Sequence, residues 1–210
     1  MAFKRFFVFI GLISLGFSWA HLALAEEEGG SVGKENLKKA TFAGGCFWCM
    51  EPPFDKVPGV KETIVGYAGG RTEKPTYEEV SGGGTGHAEA VEVLYDPEKT
   101  SYEALLNVFW RSIDPTTKDK QFADVGDQYR SAIFYHDEVQ KKEAIESKEK
   151  LAASQKFDKP IVTEIVPARP FYRAEEYHQD YYMKNPARYK TYRFFSGRGP
   201  YLKKKWGKGK

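Results

Sequence analysis

Hydrophobic and polar positions along the chain fall into two spacings that mark its elements. Lys39-Ala40-Thr41-Phe42-Ala43 predicts a short strand running into Gly44-Gly45, and from Cys46 to Phe54 the apolar positions take helical spacing. Val60 to Tyr67 (VKETIVGY) predicts a second strand, followed by a loop at Ala68-Gly69-Gly70. A glycine cluster from Gly82 to Gly86 leads into Ala88 to Tyr95 (AEAVEVLY), whose alternation has the two-residue period of a half-buried strand. Ser101 to Trp110 predicts a helix capped by Ser101, with Leu105, Leu106, Phe109 and Trp110 on one face. Ser131 to Tyr135 predicts a strand, Asp137 to Ser154 a charged amphipathic helix with Glu and Lys at i,i+4, and Ile161 to Val166 a further strand. Strands alternating with helices predict a mixed α/β or α+β domain with at least four strands. From Ala174 to Tyr192 the chain turns polar and rich in tyrosine, and no repeat period is visible.

The two ends read differently from this middle. Lys4 and Arg5 precede an apolar run from Phe6 to Leu24, which closes on Ala23-Leu24-Ala25 before three glutamates. A basic start, an apolar middle and a small-x-small exit predict a secretory signal over 1–25, cleaved after Ala25. The acidic, glycine-containing stretch 26–37 predicts a flexible lead-in to a domain over 38–196. Five lysines among the last eight residues make 197–210 a basic tail, expected as a solvated end.

With 210 residues, 41% of them hydrophobic and 29% charged, the chain has enough apolar material for one globular core, which excludes a disordered or fibrous protein. The formal charge of +3 shrinks once Lys4 and Arg5 are set aside, leaving 30 basic against 29 acidic groups. Nothing in that balance points to nucleic acid. The Gly82–Gly86 cluster lacks the lysine of a phosphate loop, and no flavin, nicotinamide or other cofactor site is predicted.

The chemistry concentrates at Cys46 and Cys49, the two cysteines of the chain. A single pair excludes a disulfide-dense scaffold and an all-thiolate zinc site. Cys46 follows two glycines at the predicted helix start, where backbone N–H groups and the helix dipole are expected to favour its thiolate. Cys49 lies three residues on, on the same helix face, with Cα atoms about 5 to 6 Å apart and so within reach of a disulfide. Three readings are open. The pair can be a reversible redox couple, a permanent staple whose short loop stabilises little, or half of a Cys2His2 site with His87 and His178, which lack a paired spacing. Phe47 and Trp48 between the thiols supply aromatic surface suited to a sulfur- or methyl-bearing group.

In order and spacing, a long series of motifs resembles the A-type peptide methionine sulfoxide reductases. The series comprises Gly45-Cys46-Phe47-Trp48 with Glu51, Gly66-Tyr67-Ala68-Gly69-Gly70, Pro75-Thr76-Tyr77-Glu78-Glu79-Val80 and Thr85-Gly86-His87-Ala88-Glu89-Ala90-Val91. It continues through Tyr95-Asp96-Pro97, Phe109-Trp110, Asp114-Pro115, Asp124-Val125-Gly126, Gln128-Tyr129-Arg130-Ser131-Ala132-Ile133, Ala174-Glu175-Glu176-Tyr177-His178-Gln179-Asp180-Tyr181 and Asn185-Pro186, covering residues 40–187. Each motif alone is weak, and their colinearity is specific.

The resemblance implies an α+β fold, a mixed β-sheet with flanking helices in a compact two-layer, ferredoxin-like core. It implies reduction of the S epimer of methionine sulfoxide, free or in proteins, to methionine. Carried over to matching positions, Cys46 is the nucleophile, Glu89 the acid facing the sulfoxide oxygen, Tyr77 and Tyr129 donors to that oxygen, and Asp124 an ordering group; Phe47 and Trp48 hold the methyl group. Elementary chemistry agrees: the oxygen gains negative charge as its sulfur is attacked, so the site needs a neutral acid, and burial should raise the pKa of Glu89. His87 and His178 are expected to be structural, and no metal is expected. Many relatives keep resolving cysteines in a C-terminal tail, whereas this chain has none after Cys49. A Cys46–Cys49 disulfide is therefore the expected oxidised form, reduced by a thioredoxin-like dithiol donor. The expected setting is a monomer exported to a bacterial periplasm. Two rivals are an exported Cys-x-x-Cys disulfide oxidoreductase and a secreted binding domain with one small disulfide.

Overall fold

The computed structural model describes Met1 and residues 36–207. The signal read over 1–25, apart from Met1, most of the lead-in read over 26–37, and the last three residues lie outside the described residues.

Four strands form the centre of a six-stranded sheet: β1 (Lys38–Gly44), β2 (Val60–Ala68), β3 (Ala88–Tyr95) and β6 (Ser131–Tyr135). β1 pairs antiparallel with both β3 and β6, and β2 pairs antiparallel with β3. β1 and β2 therefore run parallel with β3 between them, joined by helix α1 (Phe47–Asp55). β3 and β6 run parallel with β1 between them, and the connection contains α3 (Tyr102–Trp110). Two interlocked split β-α-β units of this kind are the ferredoxin-like core. β7 (Glu164–Pro167) adds in parallel beside β6 and β8 (Tyr172–Arg173) antiparallel beside β2, so the sheet is mixed and the fold α+β. The short helix α2 (Tyr77–Gly82) and a small β4–β5 pair (Lys120–Gln121, Asp124–Val125) stand outside the sheet.

One face of the sheet holds the large side chains. Phe42 stacks on Phe54 and Phe109 with ring centroids 5.1 and 5.2 Å away, among Met50, Val91, Val93, Leu105 and Leu106. Each such burial contributes about 1.5–3 kcal/mol relative to exposure. Helices α1, α3 and α4 (Glu138–Ala153) cover this face. The opposite face is built from Ala43, Ala68, Ala88, Ala90 and Ala132 with the one large ring of Phe134, and Val166, Ala168 and Phe171 pack against it. β3 is therefore buried on both faces, where its alternation predicts a half-buried strand. On the alanine side the carboxylate of Glu92 is held by Lys39 Nζ at 3.1 Å. Ser101 caps α3 as expected, its hydroxyl accepting from Ala104 N at 3.1 Å. β7 starts three residues later than its hydrophobic run suggests.

After β8 the chain wraps back over the site end of the sheet through α5 (Tyr181–Lys184), α6 (Pro186–Phe195) and α7 (Arg198–Trp206). The stretch expected as a solvated basic tail is thus helical over most of its length, and Arg198 is buried in the core.

Candidate active site

The turn from β1 into α1 carries both thiols. Gly45 has a left-handed φ of +81°, and a Cβ built there would lie 2.4 Å from Gln121 Cβ and 2.8 Å from Arg198 Nη2. Only glycine fits that backbone and that space. Cys46 follows as the N-cap of α1, with φ −47° and ψ 117°, outside helical geometry, and Cys49 is the third helical residue.

Glu89 lies on the helix-covered face of β3 with Val91 and Val93, paired across from Tyr67 on β2. Its Oε2 accepts a hydrogen bond from Phe47 N, the first amide of α1, at 3.0 Å. Burial pushes the carboxyl up to about 8, with negative charge on Asp124 and Cys49 adding to it; the Phe47 bond and the Arg198 cation oppose. The free end of the helix dipole therefore serves Glu89 rather than a sulfur.

This overturns the expectation of a standing thiolate on Cys46. Only 6% exposed, its thiol is pushed well above the ordinary range, by burial first, then by its hydrogen bond to Cys49 and by charge on Glu89. Cys49 is drawn the other way, to about 7, by the hydrogen bond from Cys46, with the Arg198 and Arg193 cations assisting against burial. Both cysteines are buried and free, and the anion of the pair belongs to Cys49.

Three hydroxyls and a second carboxyl surround Cys46. Tyr77 opens α2 behind a capping box, in which Thr76 Oγ1 accepts from Glu79 N at 3.3 Å and Glu79 Oε2 from Thr76 N at 2.8 Å. Tyr129 ends a single 3-10 turn, Asp127–Tyr129, entered through Gly126 at φ +140°. Burial pushes the Tyr77 phenol up to about 12 and raises that of Tyr129 further, and both feel the charges of Glu89, Cys46 and Asp124. Cys46, Glu89, Tyr77, Tyr129 and Asp124 thus form one cluster, and both phenols remain O–H donors at neutral pH. Asp124, on β5, accepts from the Tyr192 hydroxyl at 2.5 Å, and burial raises its pKa. Tyr192 is also hydrogen-bonded to Cys46.

An aromatic wall completes the site. Phe47 is buried, with its ring centroid 5.0 Å from that of His178. Trp48 is half-buried and stacks on Tyr181 at 3.7 Å with 6° between the planes. Its Nε1–H donates to His178 Nδ1 at 3.0 Å, so the imidazole proton sits on Nε2, which faces Glu175 Oε2 at 4.0 Å. Glu175 in turn accepts from Tyr77 N at 2.9 Å and Tyr67 O–H at 2.7 Å. Glu51 Oε1 accepts from Asp180 N at 3.0 Å and so pins the turn before Tyr181 to α1. His87 stands apart from the reacting groups: Nδ1 accepts from Gly70 N at 3.1 Å and Nε2–H donates to Thr72 O at 2.8 Å, which ties the loop after β2.

A family model described as peptide methionine sulfoxide reductase matches residues 38–210. The chain belongs to the peptide methionine sulfoxide reductase family. It is 55% identical over 174 residues to a peptide methionine sulfoxide reductase MsrA of Bacillus licheniformis, covering 83% of this chain and 96% of that one. The MsrA of Bacillus subtilis is 54% identical over 173 residues, with 82% and 98% covered. Among solved structures, reduced Mxr1 of Saccharomyces cerevisiae superposes with a TM-score of 0.68 at 39% identity, covering 71% of this chain and 86% of that chain. Methionine sulfoxide reductase A of Corynebacterium diphtheriae gives 0.65 at 37% identity, covering 73% and 77%. The activity is thiol-dependent reduction of methionine S-sulfoxide to methionine.

Sequence reasoning missed Tyr192, Glu175 and Arg198 as parts of this reductase site. Glu175 lies inside a quoted motif, which could have marked it. Tyr192 is one of 13 tyrosines and Arg198 one residue of a basic end, and no local pattern separates either from its neighbours.

Proposed function

We propose that this reductase works with Cys46 as nucleophile, Glu89 as acid and Cys49 as resolving thiol. The observation that carries the reading is the 3.0 Å bond from Phe47 N to Glu89 Oε2, which fixes the carboxyl beside Cys46, where burial outweighs that bond and keeps it neutral. The sulfoxide oxygen lies toward Glu89, Tyr77 and Tyr129, and the methyl group against Phe47 and Trp48. As the Cys46 sulfur attacks the sulfoxide sulfur, the oxygen takes a proton from Glu89 and Glu89 recovers the thiol proton, so no charged oxygen has to leave. In sum, the Cys46 thiol and methionine sulfoxide become the Cys46 sulfenic acid and methionine. Cys49 then forms the S–S bond and the sulfenic oxygen departs as water. The non-helical backbone of Cys46 supports this closure, because the bond joins an N-cap to the third residue rather than two residues inside a rigid turn. Asp124 orders the site through Tyr192.

An external dithiol of thioredoxin type reduces the disulfide. The amino-terminal pattern supports export, with repair of oxidised proteins in a bacterial periplasm. The exported protein then begins at Glu26, which its intact mass reads directly. The test of the chemistry is incubation with the separated epimers of methionine sulfoxide and dithiothreitol. Wild type consumes the S epimer alone, and Cys46→Ser consumes neither. Activity surviving in Cys46→Ser overturns the assignment. In Cys49→Ser, the first methionine is still released and a sulfenic acid accumulates that dimedone traps.

A further inference from the structure

The sulfoxide chemistry leaves Arg198 unexplained. This first residue of α7 is 2% exposed, and its guanidinium lies against the turn that presents Cys46. Nη2 donates to Gly44 O at 2.8 Å, and Nη1 donates to Ser112 O at 2.8 Å and to Met50 Sδ at 3.3 Å. The Phe122 ring centroid is 4.7 Å from its Cζ. All of these partners are neutral, and among the described residues no ion pair reaches the group. Taking a cation out of water with only neutral acceptors is costly, so an unanswered charge is a liability unless an anion forms nearby.

The acids that face it narrow the choice. Its field falls on Cys49 from α1, Glu89 from β3, Asp124 from β5 and Tyr189 from α6. Glu89 keeps its proton up to about 8 and Tyr189 up to about 12. Asp124 is raised by burial and its charge is already met by the Tyr192 hydroxyl. Cys49 is the one acid of the four that is drawn down, by the hydrogen bond from the Cys46 thiol first and then by the Arg198 and Arg193 cations.

We infer that Arg198 is the standing counter-charge of the dithiol, keeping Cys49 as its anion so that Cys49 attacks oxidised Cys46 and departs readily when the disulfide is reduced. The inference rests on the reading of Cys49 as resolving thiol. In the first step the Cys49 thiolate attacks the Cys46 sulfenic sulfur: the S–S bond forms, the S–O bond breaks, and the oxygen leaves as water with a proton from Glu89. In the second, a thiolate of the external dithiol attacks Cys46, the less deeply buried of the two residues at 6% exposure against 1%. The Cys46–Cys49 bond breaks, Cys49 leaves as thiolate beside Arg198, and the donor's second thiol releases Cys46 by closing the donor's own disulfide. Leaving-group ability rises as thiol pKa falls, so a cation beside Cys49 directs attack to Cys46. Arg198 touches neither substrate nor the transferred oxygen and is a positioning residue.

The test isolates Cys49 in the full-length Cys46→Ser protein, whose serine hydroxyl can still donate to it. Thiolate absorbance and iodoacetamide alkylation across pH should place its midpoint about a unit or more below the ordinary value of roughly 8.5. Adding Arg198→Met should raise the midpoint by about a unit, roughly tenfold less thiolate at neutral pH, while Arg198→Lys holds it low. A midpoint at or above the ordinary value with Arg198 intact overturns the inference even if Arg198→Met does not fold, and so does a midpoint that Arg198→Met leaves in place. With both cysteines present and one equivalent of methionine sulfoxide, mass spectrometry follows the loss of two hydrogens that marks the disulfide. Its absence in wild type defeats the resolving reading itself. Closure equally fast in wild type and Arg198→Met defeats the role of Arg198 alone, and closure slowed about tenfold with dimedone-reactive Cys46 supports it.

Discussion

The ferredoxin-like half of the molecule and the wrap that follows β8 build one site by opposite means. In the first half, large apolar side chains hold the backbone, and Glu89 and Cys46 are carried to the site by strands and a turn that packing has already fixed. In the wrap, α6 buries no residue, α5 buries only Tyr181 and α7 only Arg198. It is held to the core by a few inward polar groups: Asp180 N on Glu51, Tyr192 on Asp124, and Arg198 on the carbonyls of Gly44 and Ser112. Packing therefore positions the reacting atoms and, by burying them, raises Glu89 and Cys46, while Tyr192, Arg193 and Arg198 of the polar wrap adjust the charge balance around them.

Substitutions in the two regions should therefore fail differently. Phe42→Ala removes a ring stacked between Phe54 and Phe109 and should destabilise the fold by about 3–5 kcal/mol in denaturant titration, while kcat of the remaining folded enzyme changes little. Glu89→Gln should keep the fold, since an amide can still accept from Phe47 N, and lower kcat/KM by about 100-fold, ~2.7 kcal/mol in the barrier. Tyr192→Phe should cost about 1 kcal/mol of stability at most and lower kcat/KM about tenfold, because Asp124 loses its donor and Cys46 a hydrogen-bond partner. A Tyr192→Phe protein that loses stability like Phe42→Ala and keeps full activity would erase the contrast.

The same contrast explains what the sequence made legible. Strands and helices of the first half follow apolar periodicity, so β1, β2, β3, α3 and α4 fall close to where the pattern puts them. Burial on the alanine face of β3 was not legible, because it depends on a distant segment, Val166 to Phe171, lying across it. The site's residue types came through the colinear motifs, not through periodicity. Its electrostatics did not. A helix start after two glycines suggested a thiolate at Cys46, yet the first helical amide is occupied by Glu89, 42 positions away in the chain. Arg198 was equally hidden, since one arginine in a lysine-rich end has nothing local to mark it as the residue that turns inward.

The central claim is that Cys46 reacts from a neutral thiol beside a protonated Glu89, and the pH dependence of methionine release in a single turnover tests it most directly. Because burial raises Glu89 to about 8, the acid form is present below that value and is lost as pH rises through it. The release rate should be level through neutrality and fall above about pH 8, and the fall should vanish in Glu89→Gln. A rate that climbs through the same range, following ionisation of Cys46, would contradict the account.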